Sequence, residues 1–151
     1  MASANQSLDF PNCFYRVTVK GLYVKDDKIL LLKESKNRSG KWELPGGGLE
    51  FGEDIKNTLK REIEEEAGMK VKEISEKPLY VWTWRYENRR NMDWFYSLVL
   101  AYRIEIENLE FTPSDECEEI GLFLKDELND IELCQQTNVL KDVFNSNDFK
   151  S

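Results

Sequence analysis

Alternating apolar and polar residues predict β-strands in the N-terminal part of the chain. Between residues 12 and 24 the alternating positions are Tyr15, Arg16, Val17, Thr18, Val19 and Lys20. A period of two places successive side chains on opposite faces of a strand. Asp26 and Asp27 then form a turn before the apolar run of residues 29–32. These two segments are predicted to form a hairpin.

The pattern changes to a helical one after a break. Residues 35–40 form a polar loop, residues 42–44 a short extended piece, and residues 45–48 a break that contains Pro45. The apolar residues that then recur every fourth position are Ile55, Leu59, Ile63 and Ala67. This stripe predicts a helix from Glu53 to Ala67, with Glu53 and Asp54 in its first turn and Gly68 at its end.

Two long strands are predicted after the helix, over residues 80–86 and 94–101, with a polar turn at residues 87–91. Aromatic and aliphatic residues occupy both of their faces, which indicates a sheet covered on both sides. An acidic loop at residues 108–118, a short strand at residues 120–124 and a mostly helical segment at residues 125–146 complete the pattern.

Length and composition support one domain over residues 11–147, with tails at residues 1–10 and 148–151. No apolar run approaches the ~20 residues that a membrane span needs. The first residues lack the basic and apolar segments of a secretory signal, so a cytoplasmic location without membrane contact is expected. The three cysteines form no CxxC pair, which argues against a disulfide framework or a zinc site.

Charge and histidine content narrow the chemistry. The net charge of −8 disfavours binding to a nucleic acid polymer, which usually requires a basic surface. The chain contains no histidine, which excludes a Ser-His-Asp triad and an imidazole metal ligand. Any metal ion must therefore be held by oxygen atoms, which favours magnesium, manganese or calcium.

A glycine-rich loop and an acidic helix face carry the candidate chemistry. Gly46, Gly47 and Gly48 let backbone groups approach a ligand closely. Behind them the helix places three carboxylates on one face, at the i, i+3 and i+4 positions Glu62, Glu65 and Glu66. The spacing alone is also compatible with a solvated acidic surface, and Glu64 points away from this face.

The residues of this region resemble the Nudix hydrolase family. Its box, G-x5-E-x7-R-E-U-x-E-E-x-G-U with U a bulky aliphatic residue, is matched at all nine constrained positions: Gly47, Glu53, Arg61, Glu62, Ile63, Glu65, Glu66, Gly68 and Met69. The loop-then-helix context also agrees, and the resemblance extends over about residues 12–145. It implies a Nudix-type α/β/α sandwich with a mixed, curved sheet.

The resemblance also implies roles for individual residues. Glu62, Glu65 and Glu66 match glutamates that bind Mg²⁺, with Mn²⁺ as a possible substitute, and the Gly46 carbonyl matches a further ligand. Glu53 matches a position that supports metal or water binding, and Arg61 matches an arginine that orients the glutamates. Glu53, Arg61 and Glu65 are therefore the expected catalytic residues.

The general base and the substrate contacts stay open at this point. Glu53, Glu65 or Glu66 is available as the base, and relatives often use a later acidic loop. The candidates in that loop are Asp115, Glu116, Glu118 and Glu119, with Glu116 and Glu118 preferred. Arg16 and Lys33 are candidate phosphate contacts, and Tyr86 is a candidate contact for the base of a nucleotide.

The predicted function is Mg²⁺-dependent hydrolysis of a phosphoanhydride bond in a nucleoside diphosphate linked to another group, as in a MutT-like nucleoside triphosphate pyrophosphohydrolase. A dinucleoside polyphosphate or a nucleotide sugar is the alternative substrate. A catalytically inactive nucleotide sensor is the alternative of another class. The expected partner is a small-molecule nucleotide, and the expected state is a monomer or a homodimer.

Overall fold

Two β-sheets form the centre of the molecule within residues 14–86 and 95–150, the residues that the computed structural model describes. The strands are β1 (Phe14–Leu22), β2 (Val24–Lys25), β3 (Lys28–Glu34), β4 (Trp42–Glu43), β5 (Gly46–Gly48), β6 (Val71–Tyr86), β7 (Phe95–Ile106) and β8 (Cys117–Phe123). The first sheet has the order β5-β1-β7-β6, and β1 and β7 run parallel while the other pairs are antiparallel. The predicted mixed sheet is thereby confirmed.

The second sheet contains β2, β3, β4 and β8, and β3 pairs antiparallel with each of the other three strands. The predicted hairpin around Asp26 and Asp27 is present, but only Val24 and Lys25 join β3 in it. β1 itself belongs to the first sheet. Both aspartates adopt positive φ angles, 52° and 65°, which is the geometry of a two-residue hairpin turn.

One helix, α1 (Ile55–Ala67), follows the glycine strand. It begins two residues later than predicted, because Asp54 is the N-cap and its side chain accepts a hydrogen bond from the Asn57 N–H. Glu53 therefore precedes the helix. Gly68 ends it in the left-handed conformation, with φ at 66°, as predicted.

Two separate hydrophobic cores cover the two sides of the sheets. Leu59, Ile63 and Ala67 of α1 pack in one core together with Val19 and Ile104. The other core is formed by C-terminal residues and the opposite strand faces, and it contains Leu22, Leu31, Leu128, Leu140, Phe144 and Phe149. The predicted α/β sandwich, covered on both sides, is therefore confirmed. Phe149 lies two residues beyond the predicted domain boundary at residue 147.

The prediction of a mostly helical segment at residues 125–146 is wrong. The segment contains short 3-10 turns at Asp126–Asn129 and Gln135–Thr137 and one four-residue helix, α2 (Leu140–Val143). A further 3-10 turn follows at Ser146–Phe149. Between the first two turns, Leu133 forms a bridge to Trp42 of β4, and this pairing requires an extended backbone.

One smaller difference concerns the start of a strand. The strand predicted at residues 120–124 begins earlier, at Cys117, because residues 117–123 pair with β3. The predicted tail at residues 1–10 and the turn at residues 87–91 lie outside the described residues. Within residues 14–86 and 95–150, no helix combines the length and the apolar character needed to cross a membrane.

Candidate active site

A cleft of about 590 Å³ lies between the glycine strand β5, helix α1 and the C-terminal turns. Its lining combines backbone, acidic, basic and aromatic groups. They include Lys20, Glu34, Arg38, Glu43, Gly46, Gly47, Gly48, Glu62, Glu66, Trp84, Glu116, Gln135 and Gln136. The cleft therefore brings the predicted glycine loop together with two of the three predicted helix glutamates.

The close packing of β5 explains why glycine occupies its positions. A Cβ atom at Gly47 would lie 2.7 Å from the Glu62 Cδ atom, and one at Gly48 would lie 2.0 Å from the Arg16 Nη2 atom. Real Cβ atoms do not approach other atoms so closely. The absence of side chains thus lets Glu62 and Arg16 lie directly against the backbone of this strand.

Arg61 holds three carboxylates around one guanidinium. Its Nε and Nη2 atoms donate to the two Glu53 carboxylate oxygens at 3.1 and 2.9 Å, a bidentate pair. Its Nη1 atom donates to Glu62 at 3.3 Å and to Glu65 at 3.2 Å. The hydrogen bond from Arg61 lowers the pKa of Glu53, and the same bond raises the pKa of Arg61. Arg61 therefore offsets the repulsion between these glutamates.

Replacing Arg61 by lysine is expected to lower the catalytic rate between ~10- and ~100-fold, the cost typical of losing a group that orients metal-binding side chains. A lysine keeps the charge but cannot form the planar fork on Glu53 while contacting Glu62 and Glu65. Steady-state kinetics measures the effect. Lys60→Arg is the matched control, since Lys60 is an exposed neighbour on α1. Equal rates for the two variants would contradict an orienting role for Arg61.

Glu66 is the buried carboxylate of the cleft. Its residue is 8% exposed, and its Oε1 atom accepts a hydrogen bond of 2.9 Å from the Gly46 N–H. Burial raises the pKa of Glu66 to about 8, although the nearby positive charge of Lys20 and the Gly46 N–H act in the opposite direction. The positive charge near Glu66 is therefore too small to offset the effect of burial on its ionised form.

Glu62 and Glu116 extend the acidic group. Burial raises the pKa of Glu62, the charge of Arg61 opposes this, and the charges of Glu65 and Glu116 reinforce it. Glu116 likewise raises the pKa of Glu66. The Glu116 carboxylate therefore lies within electrostatic reach of both helix glutamates, while the Arg38 Nη2 atom contacts it at 3.3 Å.

The donor chemistry of the cleft suits a hard divalent cation. Glu62, Glu66 and Glu116 supply carboxylate oxygens, the type of ligand that Mg²⁺ and Mn²⁺ prefer. In the described part of the chain, no three acidic or thiol side chains form a ready metal-binding group. The reason is visible in the pairing: Arg61 binds Glu62, and the Gly46 N–H binds Glu66. Burial is the main cause of the raised pKa values of Glu62 and Glu66, so positive charge added here would favour their ionised forms.

Several predicted residues lie outside the lining of the cleft. Glu53 and Glu65 bind Arg61, which in turn contacts the lining residue Glu62, and the Glu65 side chain is 55% exposed. The Lys33 Nζ atom lies 3.8 Å from Glu118 and 3.9 Å from Glu119 of β8, and Glu119 is its register partner. Arg16 packs over Gly48, with its Nη2 atom 4.0 Å from Glu50. The side chain of Tyr86 lies outside the described residues.

The cleft also contains residues that the sequence did not single out as site residues. Lys20 and Glu43 are buried beside the glycine strand, at 5% and 8% exposure. Gln135 and Gln136 enter from the C-terminal turns. The alternation of polar and apolar residues in β1 was the feature of the sequence that could have indicated Lys20 as a site residue. In a sheet covered on both sides, the polar face of an inner strand must also meet protein or a cleft.

Comparisons with known proteins reveal similar sequences and a similar fold. The family model described as NUDIX domain matches residues 14–142. The nucleoside triphosphatase NudI of Enterobacter sp. (strain 638) is 29% identical over 133 residues, which cover 82% of this chain and 92% of that protein. The ADP-ribose pyrophosphatase of Methanocaldococcus jannaschii is 46% identical over 61 residues, 38% of this chain and 36% of that protein. The crystal structure of a MutT NUDIX hydrolase from Burkholderia pseudomallei matches with a TM-score of 0.70 and 26% identity, covering 87% of this chain and 99% of that one.

Proposed function

Because this chain belongs to the Nudix family of hydrolases, we propose that it is a Mg²⁺-dependent pyrophosphohydrolase that cleaves nucleoside triphosphates at the cleft described above. Membership of this family supports a pyrophosphohydrolase activity, the hydrolysis of phosphoanhydride bonds. The single observation that carries the proposal for this site is that Glu62, Glu66 and Glu116 line one cleft together with the glycine strand. The cytoplasmic location and the oligomeric state remain predictions from the sequence.

The proposed mechanism assigns the metal to the carboxylates of the cleft. Glu62, Glu66 and Glu116 are the residues that would hold it. When bound, a divalent ion supplies positive charge for the phosphate oxygens and a lower pKa for a bound water molecule. Phosphoryl transfer depends mainly on such charge neutralisation and on positioning. Arg61 fixes the direction of Glu62, and Glu53 and Glu65 fix the position of Arg61.

Among the candidate bases, Glu116 has the best position. It lines the cleft and acts electrostatically on Glu62 and Glu66, whereas Glu118 and Glu65 are not among the residues that line the cleft. With no histidine in the chain, a carboxylate must accept the proton of the attacking water. We assign this step to the Glu116 carboxylate, through the oxygen that would not be bonded to the metal.

The nucleotide is proposed to lie along the first sheet. Arg16 and Trp84 both pair with Ser97 of β7, so the three residues form a row on one face of the sheet. Two strand spacings separate Arg16 from Trp84, or ~10 Å between their backbones. This separation suits a base stacked on Trp84 and phosphates beside Arg16 and the glycine strand. A triphosphate is preferred because NudI, named a nucleoside triphosphatase, is matched over 92% of its length.

Replacing Trp84 by alanine is expected to raise KM for the preferred nucleotide ~10-fold and to change kcat little. Stacking of a base on an aromatic ring contributes about 1–3 kcal/mol, and the ring acts on binding rather than on the reacting phosphorus. Trp84→Phe should retain most of the affinity. Tyr15→Ala is the control, since Tyr15 is an exposed aromatic residue on the opposite face of the sheet. A KM unchanged by Trp84→Ala would remove Trp84 from the base site.

A panel of nucleotides with Mg²⁺ tests the proposal. It should contain canonical and oxidised nucleoside triphosphates, dinucleoside polyphosphates, nucleotide sugars and ADP-ribose, with products separated by ion-exchange chromatography. The expected products from a triphosphate are a nucleoside monophosphate and pyrophosphate. Cleavage of a nucleotide sugar or dinucleoside polyphosphate without cleavage of any triphosphate would replace the proposed substrate by the alternative. Nucleotide binding without any cleavage would instead indicate a sensor.

A further inference from the structure

Lys20 is a buried cation inside the candidate active site. Its side chain is 6% exposed, and its Nζ atom donates to the Leu44 carbonyl at 3.1 Å and to the Gly46 carbonyl at 3.4 Å. The Glu43 Oε1 atom lies 3.8 Å from the same ammonium group. Lysine is almost never buried to this extent unless it is paired. The burial of this ammonium group therefore requires an explanation in terms of function or structure.

Gly46 connects Lys20 to the buried glutamate of α1. The Gly46 N–H donates to Glu66 at 2.9 Å, while the Gly46 carbonyl accepts from Lys20. Lys20 and Gly46 are also directly paired residues of β1 and β5. Lys20 acts on Glu66 as well, because its positive charge offsets part of the burial of that carboxylate. The ammonium group thus lies where the glycine strand and the acidic helix face meet.

Arg61 and Lys20 act on different carboxylates around α1 and the glycine strand. Arg61 contacts Glu53, Glu62 and Glu65. Lys20 provides positive charge for Glu43 and Glu66, which Arg61 does not contact among the described ion pairs. Charged carboxylates are buried only when such partners are present. A second cation bonded to the Gly46 carbonyl would lie close to the ammonium group, and like charges a few ångströms apart repel strongly in a cleft.

We propose that Lys20 is a resident cation: its ammonium group permanently occupies the position beside the Gly46 carbonyl and Glu66 that a metal ion would otherwise take. Glu62, Glu66 and Glu116 remain as the residues that would hold divalent ions. The chain needs one divalent ion fewer than the same site would hold without the lysine. The Gly46 carbonyl consequently faces an ammonium group, in contrast to the metal contact that the family resemblance implies. This inference rests on the proposed metal-dependent function.

Counting bound Mn²⁺ tests the proposal directly. Free Mn²⁺ is followed by electron paramagnetic resonance during titration of metal-free protein. Lys20→Met removes the charge while keeping a similar side-chain length, and it should bind one additional Mn²⁺ per chain compared with the wild type. Lys20→Arg retains the charge and should bind the same number as the wild type. Lys25→Met is the matched control, because Lys25 is exposed on β2.

The possible results separate this proposal from the function. Equal numbers of Mn²⁺ ions on the wild type and Lys20→Met would overturn the resident cation, whereas a wild type that binds no Mn²⁺ would overturn the proposed metal dependence itself. Should Lys20→Met fail to fold, Lys20→Gln provides a neutral donor for the same count. Anomalous scattering from wild-type crystals grown with Mn²⁺ needs no variant. It should place no manganese at the Gly46 carbonyl, and manganese bonded to that oxygen would contradict the proposal.

Discussion

Replacing Glu66 by glutamine is expected to lower turnover of the preferred nucleotide at least ~10²-fold, because the change removes a charge that would hold the divalent ion. Glutamine has nearly the same shape, and its side-chain oxygen can still accept the Gly46 N–H. The loss should therefore appear in kcat without loss of the fold. Glu65→Gln, which removes a partner of Arg61, is expected to show a loss of similar size.

Glu64→Gln is the matched control for this experiment, because Glu64 is exposed on the same helix and the net charge changes equally. Steady-state kinetics with Mg²⁺ provides the comparison. Turnover by Glu66→Gln within a few-fold of that by Glu64→Gln would remove Glu66 from the metal site.

The same substitution is expected to stabilise the metal-free protein at alkaline pH. The unfolded chain ionises Glu66 near its ordinary pKa of 4.5, whereas the folded chain holds the proton until its raised pKa of about 8. The folded state thus binds more protons between these two values, so the contribution of Glu66 to stability is lost as the pH rises through this window. Denaturation of wild type and Glu66→Gln at pH 5 and pH 9 measures the difference. It should be larger at pH 9.

Replacing Gly46 by alanine is expected to lower the free energy of unfolding by more than ~4 kcal/mol, among the largest effects of a single substitution. A Cβ atom there would lie 2.1 Å from the Val19 carbonyl oxygen and 2.9 Å from the Lys20 Cα atom, both backbone atoms that cannot rotate away. The φ angle of 129° adds strain for any residue with a side chain. β5 would have to separate from β1, which would displace the Glu66 contact as well.

Gly40→Ala separates these two causes. Gly40 also has a positive φ angle, 66°, but a Cβ atom there would meet nothing within 4 Å. It should cost only about 1–2 kcal/mol, the penalty of the left-handed conformation alone. Urea denaturation measures the stability of both variants. Equal denaturation midpoints would contradict the close contact between β5 and β1.

The helix and its acidic face were predictable because their pattern is local. The repeat of Leu59, Ile63 and Ala67 defines which face is buried, and that face fixes where Glu62 and Glu66 point. The start of the helix was missed by two residues. Asp54 is the N-cap, and its side chain accepts a hydrogen bond from a backbone N–H of the first turn. Aspartate is also common within the first turn of helices, so the residue type alone does not show which of the two positions it occupies.

The C-terminal segment was less predictable because tertiary contacts decide its conformation. The Trp42 N–H bonds to the Glu132 carbonyl, and the Cys134 N–H bonds to the Trp42 carbonyl. These two bonds hold residues 132–134 extended, in the middle of a stretch that would otherwise continue as helix. The resulting 3-10 turn at Gln135–Thr137 brings Gln135 and Gln136 into the cleft.

The burial of Lys20 could not be predicted from the sequence of β1 alone. Its alternation with Val19 predicts the face on which it lies, but the burial of that face depends on residues far along the chain. Thr18 and Ser97 share the same environment and satisfy each other through a hydrogen bond of 2.8 Å. Only the assembled sheet reveals that this polar face lies beneath the cleft.

The dependence of pyrophosphate release on Mg²⁺ tests the central claim most directly. Metal-free wild-type protein is titrated with Mg²⁺ in the presence of the preferred triphosphate, and the release rate is recorded beside that of Glu62→Gln. We expect no release without the metal, a saturable rise in the wild type, and a requirement for more Mg²⁺ in the variant, since Glu62 is a proposed ligand. A release rate that is the same in excess chelator as in saturating Mg²⁺ would contradict the account.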